Sequence, residues 1–199
     1  MNAAGLILAA GESTRMGSPK ALLDFHGETF LDRLIARFTA FCAPVVVVVG
    51  CEAARIRSGI RLASIALFAE NLDYRLGQLS SMQCGLRMIP ESAEGVLFTL
   101  VDHPNVQPST IEALIQQPAT GNRQPATALA IPRFQGRRGH PMYFRAELIP
   151  EFLALPPDSQ AREVVNRYRE SIRFVDVDDP GILNDIDDPA AYSRLLDTK

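Results

Sequence analysis

The sequence predicts a three-layer α/β/α fold with a mainly parallel sheet. Short apolar runs bounded by turn residues alternate with helical patterns along most of the chain. The run Val45–Val49 is wholly β-branched and closed by Gly50, and a strand apolar on both faces belongs in a sheet covered by helices on either side. Strands and helices in this alternation pair in parallel through right-handed crossovers.

Each element follows from its own pattern. Gly5–Ala10 is short, continuous and apolar, hence a buried strand. Thr29–Phe41 sets Phe30, Leu31, Leu34, Ile35, Phe38 and Phe41 at helical spacing, giving one core-facing side. After Pro44 and the valine strand, Glu52–Ile60 is a weaker helix, Ile65–Phe68 a third strand, and Ser80–Met88 a helix with two serines available for capping. Gly95–Val101 is a fourth buried strand, stopped by Asp102-His103-Pro104, and Pro108–Gln117 opens with the proline and serine of a helix start. Ala126–Ile131 reads as a strand, Arg133–Gly139 as a basic loop, and Met142–Phe144 as a short strand. Helical stretches cover Ala146–Leu153 and Ala161–Tyr168, Arg173–Val177 alternates inward and outward, and Pro189–Leu196 closes the chain as a helix. No repeat or linker interrupts the pattern, so residues 1–199 are expected to form one domain.

Composition narrows the function. The 199 residues are 47% hydrophobic, too many for a disordered chain, and no apolar run reaches the ~20 residues of a membrane span. The N-terminal GLILAA is too short and lacks the basic flank of a signal peptide, so a cytoplasmic protein is expected. A net charge of −3 argues against nucleic-acid binding. Cys42, Cys51 and Cys84 are widely spaced and odd in number, which suits small core residues rather than a disulfide framework or a zinc site. Of the 20 basic residues only Lys20 and Lys199 are lysine. Arginine-rich codon usage explains the others; an interior lysine that persists suggests a task arginine performs badly.

In parallel α/β sheets ligands bind at the carboxyl ends of strands, here after Ala10 and after Val101. The first of these loops runs Leu8-Ala9-Ala10-Gly11-Glu12-Ser13-Thr14-Arg15-Met16-Gly17-Ser18-Pro19-Lys20. Gly11 and Gly17 permit close approach of the backbone, successive N–H groups form an anion-binding concavity, and Arg15 and Lys20 add a planar fork and a point charge. Such a loop suits a polyphosphate. It is neither a Walker loop nor a dinucleotide fingerprint, because the glycine spacing fits neither, and this disfavours a nicotinamide dehydrogenase. Asp102 emerges where an apolar strand meets Pro104, and in the alternating Asp185-Ile186-Asp187 both carboxylates face one side while Ile186 faces the core. One or two carboxylates with substrate phosphates make a magnesium site.

The run LAAGESTRMGSPK resembles the signature of the MobA-like nucleoside triphosphate transferases. Gly77-Gln78-Leu79-Ser80-Ser81-Met82-Gln83-Cys84-Gly85 is similar to that family's G-x-x-x-S-x-x-x-G segment, Arg137-Arg138-Gly139-His140-Pro141 to the R-x-G-H-P element of its molybdenum cofactor cytidylyltransferase branch, and Asn184–Pro189 to that branch's D-I-D-T-P, with Asp188 in place of threonine. The resemblance implies a Rossmann-like sheet of the nucleotide-diphospho-sugar transferase type. It implies a nucleotide held by Leu8, Ala9, Ala10, Gly11, Gly17, Gly77 and Ser81, and catalysis by Arg15, Lys20 and Asp102. Mg²⁺ would sit on Asp102 with Asp187, Asp185 being the alternative ligand. Arg138, Gly139 and His140 would contact the acceptor, although two arginines also suit a solvated loop, and Ser81 equally suits a helix start. His103 stands where the family more often carries another residue.

The implied reaction is transfer of CMP from CTP to the terminal phosphate of molybdenum-bearing molybdopterin, with pyrophosphate leaving. Ala10-Gly11 replaces the Gly-Gly of the guanylyl branch, and a Cβ at position 10 narrows the space beneath the base, favouring a pyrimidine. A phosphate nucleophile is already an anion, so no general base is required. Transient contact with a molybdoenzyme or its chaperone would follow. The competing readings are another triphosphate, another acceptor such as a sugar phosphate or phospho-acid, and a catalytically silent nucleotide- or cofactor-binding chaperone.

Overall fold

The computed structural model describes residues 2–116, 127–156 and 158–197. The expected helix end at Gln117, the expected strand start at Ala126, and Lys199 lie outside them. The strands are β1 Ala3–Ala9, β2 Asp24–Phe25, β3 Glu28–Thr29, β4 Val45–Val49, β5 Leu67–Glu70, β6 Gly95–Leu100, β7 Leu129–Phe134, β8 Arg137–Arg138, β9 Met142–Arg145 and β10 Ile172–Asp176. The α-helices are α1 Phe30–Thr39, α2 Ala53–Gly59, α3 Gln78–Leu86, α4 Pro108–Ile115, α5 Ile149–Ala154, α6 Arg162–Arg167 and α7 Pro189–Leu196.

The main sheet runs β10-β7-β9-β6-β1-β4-β5, with β8 paired to β7. β5, β4, β1 and β6 are mutually parallel, and β9 runs antiparallel between β6 and β7. β10 is parallel to β7, so the sheet is mainly parallel and the fold Rossmann-like, as expected. Its two faces are built by alternation along the same strands. Ile7, Val45, Val47 and Val49 pack under α1, while Leu6, Leu8, Val46 and Val48 pack under α3, each half a continuous apolar core. α3 lies close on the sheet because Gly85 has no side chain: a Cβ there would meet Leu6 Cδ1 at 2.4 Å. At α1, Thr29 caps the helix, its hydroxyl accepting from the Asp32 N–H at 3.0 Å.

Four local expectations are corrected. Arg133–Gly139 is not an open loop but the end of β7, the Gln135-Gly136 turn and β8. Both turn residues have positive φ, 48° and 80°, which matches a two-residue hairpin turn. α3 begins at Gln78 behind Gly77, so neither Ser80 nor Ser81 caps it. The third strand starts at Leu67 rather than Ile65, because Ala63–Ile65 forms a 3-10 turn. β10 is half-buried along most of its length instead of alternating, since it is the sheet's edge. Cys42 is buried, whereas Cys51 and Cys84 are only partly so. No helix among the described residues is long and apolar enough to cross a membrane.

Candidate active site

The loop after β1 is shaped by its own backbone. Ser13 (φ 49°) and Gly17 (φ 69°) reverse the chain, and the Met16 N–H closes on the Ser13 carbonyl at 2.9 Å. The Ser13 hydroxyl then accepts from the Lys20 N–H at 3.1 Å, fixing where the lysine leaves the loop. Its side chain turns inward and is only 13% exposed. The ammonium bridges two carboxylates, with Nζ 2.5 Å from Asp187 Oδ1 and 3.1 Å from Asp102 Oδ2. Burial works against the charged lysine, but Asp187 and Asp102 together hold its pKa above the ordinary value.

Asp102 follows β6, and the 184–187 segment lies beside it: the Ile186 N–H donates to the Asp102 carbonyl at 3.2 Å. Ile186 is buried, and its neighbours Asp185 and Asp187 both turn outward to the site, as the alternation predicts. One oxygen from each of Asp102, Asp185 and Asp187 lies within 4.8 Å of the others. Both candidates for the second metal ligand are therefore at hand. Lys20 lowers the Asp187 pKa, while desolvation and the adjacent Asp102 and Asp187 charges raise that of Asp185. Asp102 Oδ1 is buried without a hydrogen-bond partner. An all-carboxylate donor set with an unpartnered buried oxygen fits a hard divalent cation. Arg15 is more peripheral, 70% exposed and 3.6 Å from Asp187 Oδ2.

All of these charged groups except Asp185 line one side of a cleft of about 400 Å³. Leu8, Ala9, Ala10, Gly11, Gly77 and Ser81 line it too, together with Arg15, Lys20, Asp102 and Asp187. Gly17 is absent from this wall and serves the turn. Sequence reasoning missed Tyr74 and Gln78, which also face the cleft. Gln78 was legible only as part of a spacer, and Tyr74 lies in an unpatterned segment. Ser81 is held from behind: Asn71 Nδ2 donates to both Ser80 and Ser81 Oγ at 3.0 Å.

A second cavity, about 720 Å³, opens on the other side of Gly77 and Gln78. Arg138, Gly139 and His140 line it, along with Phe98, Met142 and α6 residues including Arg162. The Arg138 guanidinium stacks 4.4 Å over the Phe174 ring, which aims it; Arg137, also exposed, lies across the hairpin from Phe134. His140 sits between Phe98 and His103, with centroid separations of 5.7 and 4.9 Å. Burial pushes the pKa of both histidines down to about 4, so they are neutral near pH 7. The basic character expected of this segment therefore comes from its arginines. His103 Nε2 is 3.7 Å from Asp102 Oδ1, beside the carboxylates rather than among them.

A glycine-bearing loop, an inward lysine and three carboxylates gather at the carboxyl edge of parallel strands, where α/β proteins bind their ligands. The chain belongs to the MobA-like NTP transferase domain family, whose model matches residues 5–172. Bifunctional protein GlmU of Bifidobacterium animalis subsp. lactis is 34% identical over 118 residues, 56% of this chain and 26% of that protein. A protein of Bacillus cereus strain AH187, named as a probable molybdenum cofactor guanylyltransferase, is 28% identical over 137 residues, 68% of this chain and 64% of that one. The chain thus spans about a quarter of the GlmU relatives' length and just under two thirds of the guanylyltransferase's. Among solved structures, Rv0371c from Mycobacterium tuberculosis H37Rv superposes with a TM-score of 0.82 at 27% identity, covering 100% of both chains. That protein was also solved in complex with manganese. A nucleotidyl transferase from Methanothermobacter thermautotroptrophicus shares the fold, with a TM-score of 0.80 at 20% identity over 98% of this chain and 96% of that one.

Proposed function

We propose that residues 1–199 form a single divalent-metal-dependent nucleotidyltransferase domain that moves CMP from CTP to the terminal phosphate of molybdenum-bearing molybdopterin, releasing pyrophosphate. The observation that carries this reading is the Lys20 ammonium bridging Asp102 and Asp187 at the mouth of the glycine loop. Charge is gathered where a triphosphate's α-phosphorus would lie. In-line phosphoryl chemistry asks little of a protein besides positioning and charge neutralisation.

Backbone N–H groups around Gly11 cradle the phosphates, and the turn at Gly17 shapes the loop that presents them. Lys20 stabilises charge at the α-phosphoryl group, and the exposed Arg15 reaches the departing pyrophosphate. Asp102, Asp185 and Asp187 hold the cation, with Mg²⁺ as the favoured ion. When bound, it supplies charge neutralisation and orientation of the phosphate oxygens. Gly77, Gln78 and Ser81 lie toward the nucleoside end of the cleft. The cavity beyond Gln78 receives the acceptor, with Arg138 and Gly139 at its wall and a neutral His140 as a polar contact. Two adjoining cavities sharing Gly77 and Gln78 suit a reaction that joins two substrates.

The relatives' name, molybdenum cofactor guanylyltransferase, supports the acceptor and gives GTP as the second reading. The Ala10-Gly11 form of the loop, which resembles the cytidylyl branch, supports CTP: Ala10 lines the cleft, although it is 4% exposed and packs with Leu8 and Val48. Calorimetry with Mg²⁺ decides between them. CTP binding at least tenfold tighter than GTP is the expected result, on the order of 1.4 kcal/mol. Tighter GTP binding transfers the assignment to guanylyl transfer.

A further inference from the structure

The three carboxylates of the proposed cation site stand on irregular backbone, Asp102 in the 101–107 loop and Asp185 and Asp187 between the 180–183 turn and α7. Something must hold these two segments in register, and a buried carboxylate outside both cavities does so. Asp179 is 2% exposed. Its Oδ2 accepts from the Gln107 N–H at 2.8 Å and the Thr110 hydroxyl at 2.7 Å, while Oδ1 accepts from the Gly181 N–H at 2.9 Å. One side chain thus grips the end of the Asp102 loop at Gln107 and the first turn of α4 at Thr110, and opens the turn that leads to Asp185 through Gly181. Arg37 of α1 also donates to this loop, at the carbonyls of Pro104 and Val106. The loop is held by an anion at its amide and a cation at its carbonyls. The segments are also in direct contact: a Cβ on Gly181 would lie 2.4 Å from the Asn105 carbonyl oxygen.

We infer that Asp179 is a positioning residue for the cation site, setting the spacing between Asp102 and the Asp185–Asp187 pair without touching ion or substrate. The inference rests on reading those three carboxylates as cation ligands. Charge-assisted hydrogen bonds from fixed backbone donors are directional, and a carboxylate satisfies all three donors where an amide leaves at least one N–H facing another N–H. Groups that orient metal ligands typically change metal affinity or activity by about 10–100-fold when removed, and one that only sets ligand spacing is expected to act on affinity.

The test is Mn²⁺ titration of the nucleotide-free protein by electron paramagnetic resonance, for wild type, Asp179→Asn and Thr110→Val. Asp179→Asn is expected to bind Mn²⁺ about tenfold more weakly, and Thr110→Val to lose affinity in the same direction by less. In turnover the Asp179→Asn enzyme should show a raised KM for Mg²⁺, with kcat restored at saturating Mg²⁺. A folded Asp179→Asn protein with Mn²⁺ affinity within twofold of wild type overturns the inference, as does a kcat loss that Mg²⁺ does not restore. If Asp179→Asn does not fold, Thr110→Val decides: unchanged affinity overturns the inference. A wild type that binds no Mn²⁺ overturns the cation reading and Asp179's role together, whereas a binding wild type beside an unaffected variant overturns the role of Asp179 alone.

Discussion

At the scale of single residues, Lys20 concentrates the account. Its compact ammonium fits between two carboxylates at 2.5 and 3.1 Å, where a guanidinium fork would be too broad. This explains a lysine in a chain that otherwise writes its interior cations as arginine. Lys20→Ala and Lys20→Arg should each lower pyrophosphate release by roughly 10²-fold or more while staying folded by circular dichroism. Turnover within threefold of wild type would remove Lys20 from the mechanism. Without nucleotide, Lys20→Ala should bind Mn²⁺ more tightly than wild type, because the ammonium no longer competes for Asp102 and Asp187; weaker binding would contradict that competition. The sign is also definite for His140. Its folded pKa of about 4 lies below the unfolded value near 6.5, so the unfolded chain binds more protons between those limits. The stability it contributes is present above pH 6.5 and is lost as pH falls toward 4. Thermal melting from pH 7 to 5 should therefore drop less in His140→Gln than in wild type, and equal slopes would contradict a buried neutral histidine.

At the scale of elements, what was legible depended on whether the local pattern or a distant partner decides the structure. β1, β4 and β6 announce themselves as apolar runs because both of their faces are covered. β8 does not, since a pair of exposed arginines becomes a strand only by pairing with β7, and Gln135-Gly136 is a weaker turn signal than Asn-Gly. Gln135→Asn, at an exposed residue with φ 48°, should therefore stabilise the protein by about 0.5 kcal/mol in denaturant melts. Destabilisation would contradict the turn assignment. The start of α3 differs from the expectation for a comparable reason: Ser80 and Ser81 look like caps, but Asn71, nine and ten residues earlier, donates to both hydroxyls. Gly139 joins the hairpin to the site. A Cβ there would meet the Ile182 carbonyl oxygen at 2.1 Å, and the His140 N–H donates to that same oxygen at 3.0 Å. Gly139→Ala should cost roughly 1–3 kcal/mol by the overpacking it forces, and it should also weaken Mn²⁺ binding, because Ile182 leads directly to Asp185. A purely thermal effect with unchanged Mn²⁺ affinity would separate the hairpin from the cation site.

At the scale of the whole molecule, two segments 167 residues apart meet because both end at the carboxyl edge of one sheet. That edge, the glycine loop and Asp102 were legible in the sequence, since strand ends and turn residues are local signals. The bridging of Asp102 and Asp187 by Lys20, the sharing of Gly77 and Gln78 by two cavities, and the neutral state of His140 were not. They depend on burial and on long-range packing, which residue types alone do not report. Nucleotidyl transfer at this edge is decided by a pyrophosphate-release panel. CTP, GTP, ATP and UTP are each supplied with Mg²⁺, with and without molybdenum cofactor, to wild type and Asp102→Ala. Pyrophosphate is expected from CTP only when the cofactor is present, and is expected to be lost in the folded Asp102→Ala protein. Release that survives in Asp102→Ala, or no release from any triphosphate, would contradict nucleotidyl transfer at this edge.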